Sequence, residues 1–99
     1  MAYRIIWSLA AADDLQSIAA YIERDSPRYA VAVVDKIITL TRSLPAQPYM
    51  GRVVPEFGRK DIRERFVFSY LVVYRVTAEA IVVVNIIHGR RQYESIREE

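Results

Sequence analysis

The stretch Asp61-Ile62-Arg63-Glu64-Arg65-Phe66-Val67-Phe68-Ser69-Tyr70-Leu71-Val72-Val73-Tyr74-Arg75-Val76-Thr77-Ala78-Glu79-Ala80-Ile81-Val82-Val83-Val84-Asn85-Ile86-Ile87-His88-Gly89-Arg90-Arg91 decides the fold. Runs rich in β-branched and aromatic residues at 61–67, 70–76 and 80–87 are separated only by Phe68-Ser69 and Thr77-Ala78-Glu79. Breaks this short predict an antiparallel meander, because a parallel return needs a crossover of about a dozen residues or more. The last run opens directly into His88-Gly89-Arg90-Arg91-Gln92-Tyr93. That polar cluster at the mouth of the sheet is where a working end is expected.

Upstream, Tyr3-Arg4-Ile5-Ile6-Trp7 reads as a short first strand with Tyr3, Ile5 and Trp7 on one face. Ser8 suits a helix N-cap, and Asp13 and Asp14 are placed near the positive end of the helix dipole. Ala12, Leu15, Ile18, Ala19 and Ile22 recur at helical spacing, giving an amphipathic helix to Arg24. Asp25-Ser26-Pro27 breaks and restarts it, Ser26 as cap and Pro27 in the first helical position. Ala30, Val33, Val34, Ile37, Ile38, Thr41 and Leu44 carry a second helix to Pro45. So tight a turn makes the two an antiparallel hairpin. Pro45 to Lys60 is the longest irregular stretch, either a functional loop or an ordered cover over a sheet edge. The polar tail Gln92–Glu99 is compatible with a short helix.

The expected architecture is therefore α+β: an N-terminal strand, a helix hairpin, then a three-strand antiparallel meander packed on the helices. The helices cover one sheet face and leave the other to solvent or a partner. In the strand 61–67, Ile62 and Phe66 are expected to point at the core. Arg63 and Arg65 then face outward on the open side, beside His88–Arg91.

Residues 1–99 make one domain, large enough for a modest core. The 53% hydrophobic and 26% charged content lies outside the disordered class. No apolar run approaches the roughly 20 residues of a membrane span, and the N-terminus lacks a signal-peptide layout. With no cysteine there is neither a disulfide framework nor a thiolate metal site. The simplest expectation is a soluble, cytosolic protein with no membrane partner. The net charge of +2 is unevenly placed: charges balance up to Gly51, and the surplus sits in an arginine-rich second half. Arginine's planar fork suits phosphate and carboxylate, which fits an anionic partner; a solvated sheet rim is the plain alternative.

Several standard sites are absent: no Walker-type loop, no GxGxxG, and a single His excludes histidine-rich metal clusters. What remains is His88, Arg90, Arg91 and Tyr93, with Arg63 and Arg65 across the sheet. Such a set suits metal-free RNA cleavage, with one group activating a 2′-hydroxyl and arginines offsetting phosphorane charge. The competing reading is structural: His88 hydrogen-bonded to backbone at a strand end, and the rest in a solvated tail. Tyr70 and Tyr74, on one strand face, read as core or groove lining.

The ordered set Trp7-Ser8, Asp14-Leu15, Ile18, Tyr21-Ile22, Asp25-Ser26-Pro27, Gly51-Arg52-Val53-Val54-Pro55-Glu56, Ile62-Arg63-Glu64, Tyr70, Tyr74-Arg75-Val76 and Ile87-His88-Gly89-Arg90 resembles the RelE/ParE toxins of type II toxin–antitoxin modules. The likeness spans nearly the whole chain. It implies a compact toxin of the plasmid-stabilisation type, neutralised by a cognate antitoxin that wraps around it, with no cofactor or metal. RelE-type members cut mRNA in the ribosomal A site; ParE-type members poison DNA gyrase. For the nuclease branch the resemblance implies catalytic roles for His88, Arg91, Arg63, Arg65 and Tyr93. Its typical arginine, three positions before the strand tyrosine, is here Leu71, and Tyr93 follows the last strand too closely. The Asp-Leu first helix, the apolar Leu71 and the Ile-His-Gly-Arg ending look more like the ParE branch. Gyrase is then the favoured target, with Arg59, Lys60, Arg90 and Arg91 as expected target-binding residues, and ribosome-bound mRNA is the alternative.

Overall fold

A computed structural model describes residues 3–89. The first strand, β1 (Arg4–Trp7), leads into helices α1 (Leu9–Glu23) and α2 (Pro27–Ser43). A 3-10 turn (Leu44–Ala46) follows, then strands β2 (Arg52–Val53), β3 (Ile62–Val67), β4 (Tyr70–Val76) and β5 (Ala80–His88). The sheet order is β1-β5-β4-β3-β2, with β1 parallel to β5 and the remaining pairs antiparallel. The α1–α2 hairpin is thus the crossover that lets β1 lie parallel beside β5. The short polar breaks make tight turns as expected. Thr77 closes the second by accepting from Ala80 N–H through its hydroxyl at 2.9 Å.

The caps are those the sequence specifies. The Ser8 hydroxyl accepts from Ala11 N–H at 3.0 Å and donates to the Val84 carbonyl at 2.9 Å, tying α1 to β5. Ser26 accepts from Tyr29 N–H at 3.1 Å, with Pro27 in the first turn of α2. Asp14 differs from expectation. The first turn of α1 holds no acidic residue, and the Asp14 carboxylate instead accepts from Ile86 N–H at 2.8 Å and the Asn85 amide at 3.1 Å. β1 pairs only with residues 80–83 of β5, so beyond that point Asp14 replaces a neighbouring strand as acceptor.

Ala11, Ile22, Ala30, Val33, Ile37, Val67, Val72, Val83 and Ile86 form the main core between helices and sheet, continued by Leu44, Tyr74, Val76 and Ile81. The opposite face is covered too. Val54, Ile62, Val73 and Val84 make a separate apolar cluster flanked by Phe57 and Val82. The Pro45–Lys60 stretch is therefore an ordered cover rather than a free loop. Its β2 segment pairs with β3, and its Val54 is fully buried.

This second cluster reverses the expected orientation of β3. Ile62 is buried, but on the side away from the helices, and Phe66 on that same side is 54% exposed. Arg63 and Arg65 pair opposite Tyr74 and Val72, both core residues, so they lie on the helix side with Val67. A strand with a half-buried residue set on each face has no single apolar stripe, so alternation alone does not fix its parity. Buried Glu64 sits on the same side as Ile62, opposite Arg52 in the pairing and hydrogen-bonded to its guanidinium.

Candidate functional site

The candidate residues divide between two places. The first is the cover loop where it meets β3. Arg63 donates to the Lys60 carbonyl at 2.8 Å, the Gly51 carbonyl at 3.0 Å and the Tyr49 carbonyl at 3.3 Å. Its guanidinium lies 5.0 Å from the centre of the Tyr49 ring. From beneath, the fully buried Tyr74 accepts the Gly51 N–H on its hydroxyl at 2.9 Å. Burial raises the Tyr74 pKa, opposed by the Gly51 bond and by the charges of Arg63 and Arg65. Only glycine fits at position 51: a Cβ there would come within 2.6 Å of the Tyr74 hydroxyl and 2.7 Å of the Glu64 carbonyl.

Around this clamp stand the other cations. Arg59 grips Asp61 with two hydrogen bonds, at 3.1 and 2.8 Å, and the bond to Arg59 holds the Asp61 carboxyl below its ordinary pKa. Lys60 is exposed and Arg65 half-exposed on the helix side of β3. Tyr49 and Met50 lie exposed just before β2, Tyr49 at 53%.

The second place is the end of β5. His88 is exposed and stands edge-on to Tyr70, ring centres 5.6 Å apart. With Ser17, Ile18 and Tyr21 of α1 they line an open groove of about 430 Å³. Burial raises the Tyr70 pKa, with the nearby Tyr29 and Tyr21 adding to it. Phe68, in the β3–β4 turn, packs edge-on against Tyr29 at 5.8 Å. Its φ of 54° is one that a non-glycine residue rarely adopts. Gly89 N–H donates to the Ser69 carbonyl at 2.6 Å, and a Cβ at Gly89 would strike the Phe66 ring at 2.7 Å.

The structure thus joins Arg59, Lys60, Arg63 and Arg65 and separates them from His88. Counting along the paired strands, the Cα of His88 lies about 12 Å from that of Arg65 and about 17 Å from that of Arg63. The core residues Val72 and Tyr74 stand between. Arg63 acts on the protein itself, holding the cover loop. Arg90, Arg91, Tyr93 and the Gln92–Glu99 tail lie outside the described residues. Leu71 is buried on β4, facing away from the helices. Tyr70 and Tyr74 are groove lining and core, as their spacing suggested. The sequence reading missed Tyr49, whose position inside an irregular stretch carries no periodic signal, and the reach of Asp14 to the sheet.

A model of the family described as "ParE toxin of type II toxin-antitoxin system, parDE" matches residues 5–93. The chain belongs to this family of toxins. The toxin is also 33% identical over 96 residues to "Putative toxin Y4kP" of Sinorhizobium fredii, covering 94% of this chain and 95% of that one. Among solved structures it is similar to a chain of the chromosomal ParDE system from P. aeruginosa, with TM-score 0.70, 21% identity, and coverage of 87% and 95% of the two chains. A mutant of E. coli toxin RelE in the free state superposes with TM-score 0.67 at 16% identity, covering 91% and 86%. The toxin–antitoxin complex RelBE2 of Mycobacterium tuberculosis gives 0.56 at 19%, covering 89% and 99%. At these identities the structural likeness is one of fold, and it extends over both branches of the superfamily. No described helix of the toxin is long and apolar enough to cross a membrane.

Proposed function

We propose that the toxin arrests growth by binding DNA gyrase and blocking religation of the cut DNA, and that a cognate antitoxin holds it inactive. The observation that carries the choice of target is the engagement of Arg63. Its guanidinium holds three carbonyls of the cover loop, while Leu71 occupies the position where the mRNA-cutting branch carries an arginine. Losing one cation that offsets transition-state charge costs about 3 kcal/mol, or about a hundredfold in rate. Binding to a protein target makes no such demand. Arg59 and Lys60 on the cover loop, with Arg90 and Arg91 after β5, are the residues assigned to target contact in this reading.

The antitoxin has a surface to cover. Among the described residues the outer edge of β1 is unpaired, and beside it Leu9 is 83% exposed. Ile5, Trp7, Ala12, Leu15 and Ile38 line a groove of about 460 Å³ between that edge and the helices. An extended segment on the edge, or an amphipathic helix in the groove, are the usual ways such surfaces are filled. An acidic segment would also meet the arginine-rich half more readily.

The test is purified gyrase with increasing toxin. The proposal expects supercoiling to fall and cleaved DNA to accumulate, with recovery on adding antitoxin. Unaffected gyrase at toxin excess, together with codon-positioned cuts in translated mRNA, would replace it with the ribosome-dependent endonuclease reading.

A further inference from the structure

We propose that the turn of the cover loop before β2, Tyr49 and Met50 beside Lys60 and Arg65, is a contact for single-stranded nucleic acid. Tyr49 stacks a base, and the cations hold the flanking phosphates. The site is built by the loop and β3 alone and does not depend on gyrase being the target.

The first observation is rigidity. A tyrosine 53% exposed within a 16-residue connection would ordinarily be loosely held. Here its backbone carbonyl accepts from Arg63 at 3.3 Å, and the next carbonyl but one, that of Gly51, accepts from the same guanidinium at 3.0 Å. Met50 N–H donates to the Gln47 carbonyl at 3.0 Å, and Gly51 N–H is anchored on Tyr74. Every residue from 49 to 51 is fixed by a backbone hydrogen bond, so presenting the ring costs little further order on binding.

The second observation is the ring's partner. Arg63 lies over one face at 5.0 Å and leaves the ring half exposed. A half-exposed tyrosine backed by a guanidinium is a stacking platform, and every base has a π-face to match it.

The third observation is charge. Residues 52–75 carry Arg52, Arg59, Lys60, Arg63, Arg65 and Arg75 against Glu56, Asp61 and Glu64. Two of those carboxylates are already engaged, Glu64 by Arg52 and Asp61 by Arg59. Lys60 and Arg65 have no carboxylate partner among the described residues, and a single Arg63 side chain bridges the backbones of Lys60 and Tyr49. A phosphate chain running past the ring would meet both cations. A peptide of acidic residues would meet the same charge but has no aromatic face to stack on the ring, which is why nucleic acid is favoured.

The test is fluorescence anisotropy of purified toxin with labelled oligothymidine and oligouridine of about 12 nucleotides, at several salt concentrations. Both oligomers are expected to bind, and a preference for either names the source. Tyr49→Ala and Tyr49→Leu should each weaken binding by about five- to a hundredfold, whereas Tyr49→Phe retains it. Lys60→Gln should reduce the salt slope by about 0.7. Unchanged melting curves establish that these exposed substitutions leave the fold intact. Equal affinity of wild type and Tyr49→Ala would overturn the proposal. So would a glutamate-rich peptide that binds in the micromolar range while oligonucleotides do not. Gyrase inhibition assayed beside it keeps the two questions apart: oligonucleotide binding that depends on Tyr49, with gyrase unaffected, supports this site and overturns the target.

Discussion

Tyr74→Phe removes one oxygen from the centre of the molecule, and its effect can be worked out from the structure. The hydroxyl is the acceptor for Gly51 N–H at 2.9 Å, and both residues are buried. Phenylalanine keeps the packing with Leu44, Val76 and Ile81 but leaves the Gly51 donor without an acceptor in a place water does not reach. An orphaned buried donor costs about 1–3 kcal/mol. For a domain of this size that lowers Tm by roughly 5–20 °C. The alkaline limb gives an independent sign. Burial raises the Tyr74 pKa above 10.0, so its contribution is complete below pH 10 and is lost as pH rises from there through the folded value. The variant should therefore lose stability less steeply above pH 10 than wild type, with a residual slope from Tyr70, whose pKa is also raised. Urea denaturation at pH 7 and at pH 10–11 measures both. A change below about 0.5 kcal/mol at neutral pH, with an unaltered alkaline slope, would mean that Tyr74 does not anchor the cover loop.

Gly51→Ala should destabilise by about 1–3 kcal/mol, since its Cβ would meet the Tyr74 hydroxyl and the Glu64 carbonyl at once. Tyr74→Phe in the same chain should rescue it only in part, as read from denaturation midpoints, because the Glu64 carbonyl remains. Asp14→Ala should cost about 1–3 kcal/mol and speed amide exchange at Ile86, whose N–H it accepts. Asp14→Asn, which keeps a carbonyl oxygen, should cost less by the same measurement. Ser8→Ala removes both the N-cap of α1 and a bond to Val84, and a loss of about 1–2 kcal/mol in chemical denaturation is expected. His88→Ala should leave gyrase inhibition within a few-fold of wild type, since His88 belongs to neither set of cations assigned to target contact, Arg59 with Lys60 or Arg90 with Arg91; inhibition abolished in a variant that melts like wild type would contradict that assignment.

Much of the fold was legible because local signals agreed with the global arrangement. Ser8, Ser26 and Pro27 set the helix starts, and the two- and three-residue breaks between the β-branched and aromatic runs forced antiparallel pairing. β3 was not legible in the same way. Ile62, Glu64 and Phe66 alternate with Arg63, Arg65 and Val67, and each set holds both apolar and charged members. The parity is decided by something distant in sequence. Val54 and Phe57 of the cover loop bury Ile62 from the far side, and Arg52 makes burial of Glu64 tolerable. The candidate site inherited that uncertainty, since turning β3 over moves Arg63 and Arg65 to the helix side. What no pattern announced is the use of Arg63 as a clamp for three carbonyls, because a side chain's bond to a remote backbone leaves no periodic trace. Asp14 is the same case: its partners at Asn85 and Ile86 lie about seventy residues away.

The central claim is that this toxin acts on gyrase rather than on translated mRNA. The most direct test is a short induction in cells lacking the antitoxin, scored in parallel for DNA breaks and for transcript cleavage. DNA breaks with intact mRNA are expected. Cut mRNA with undamaged DNA would contradict the claim and would require another group to supply the charge that Arg63 and Leu71 do not.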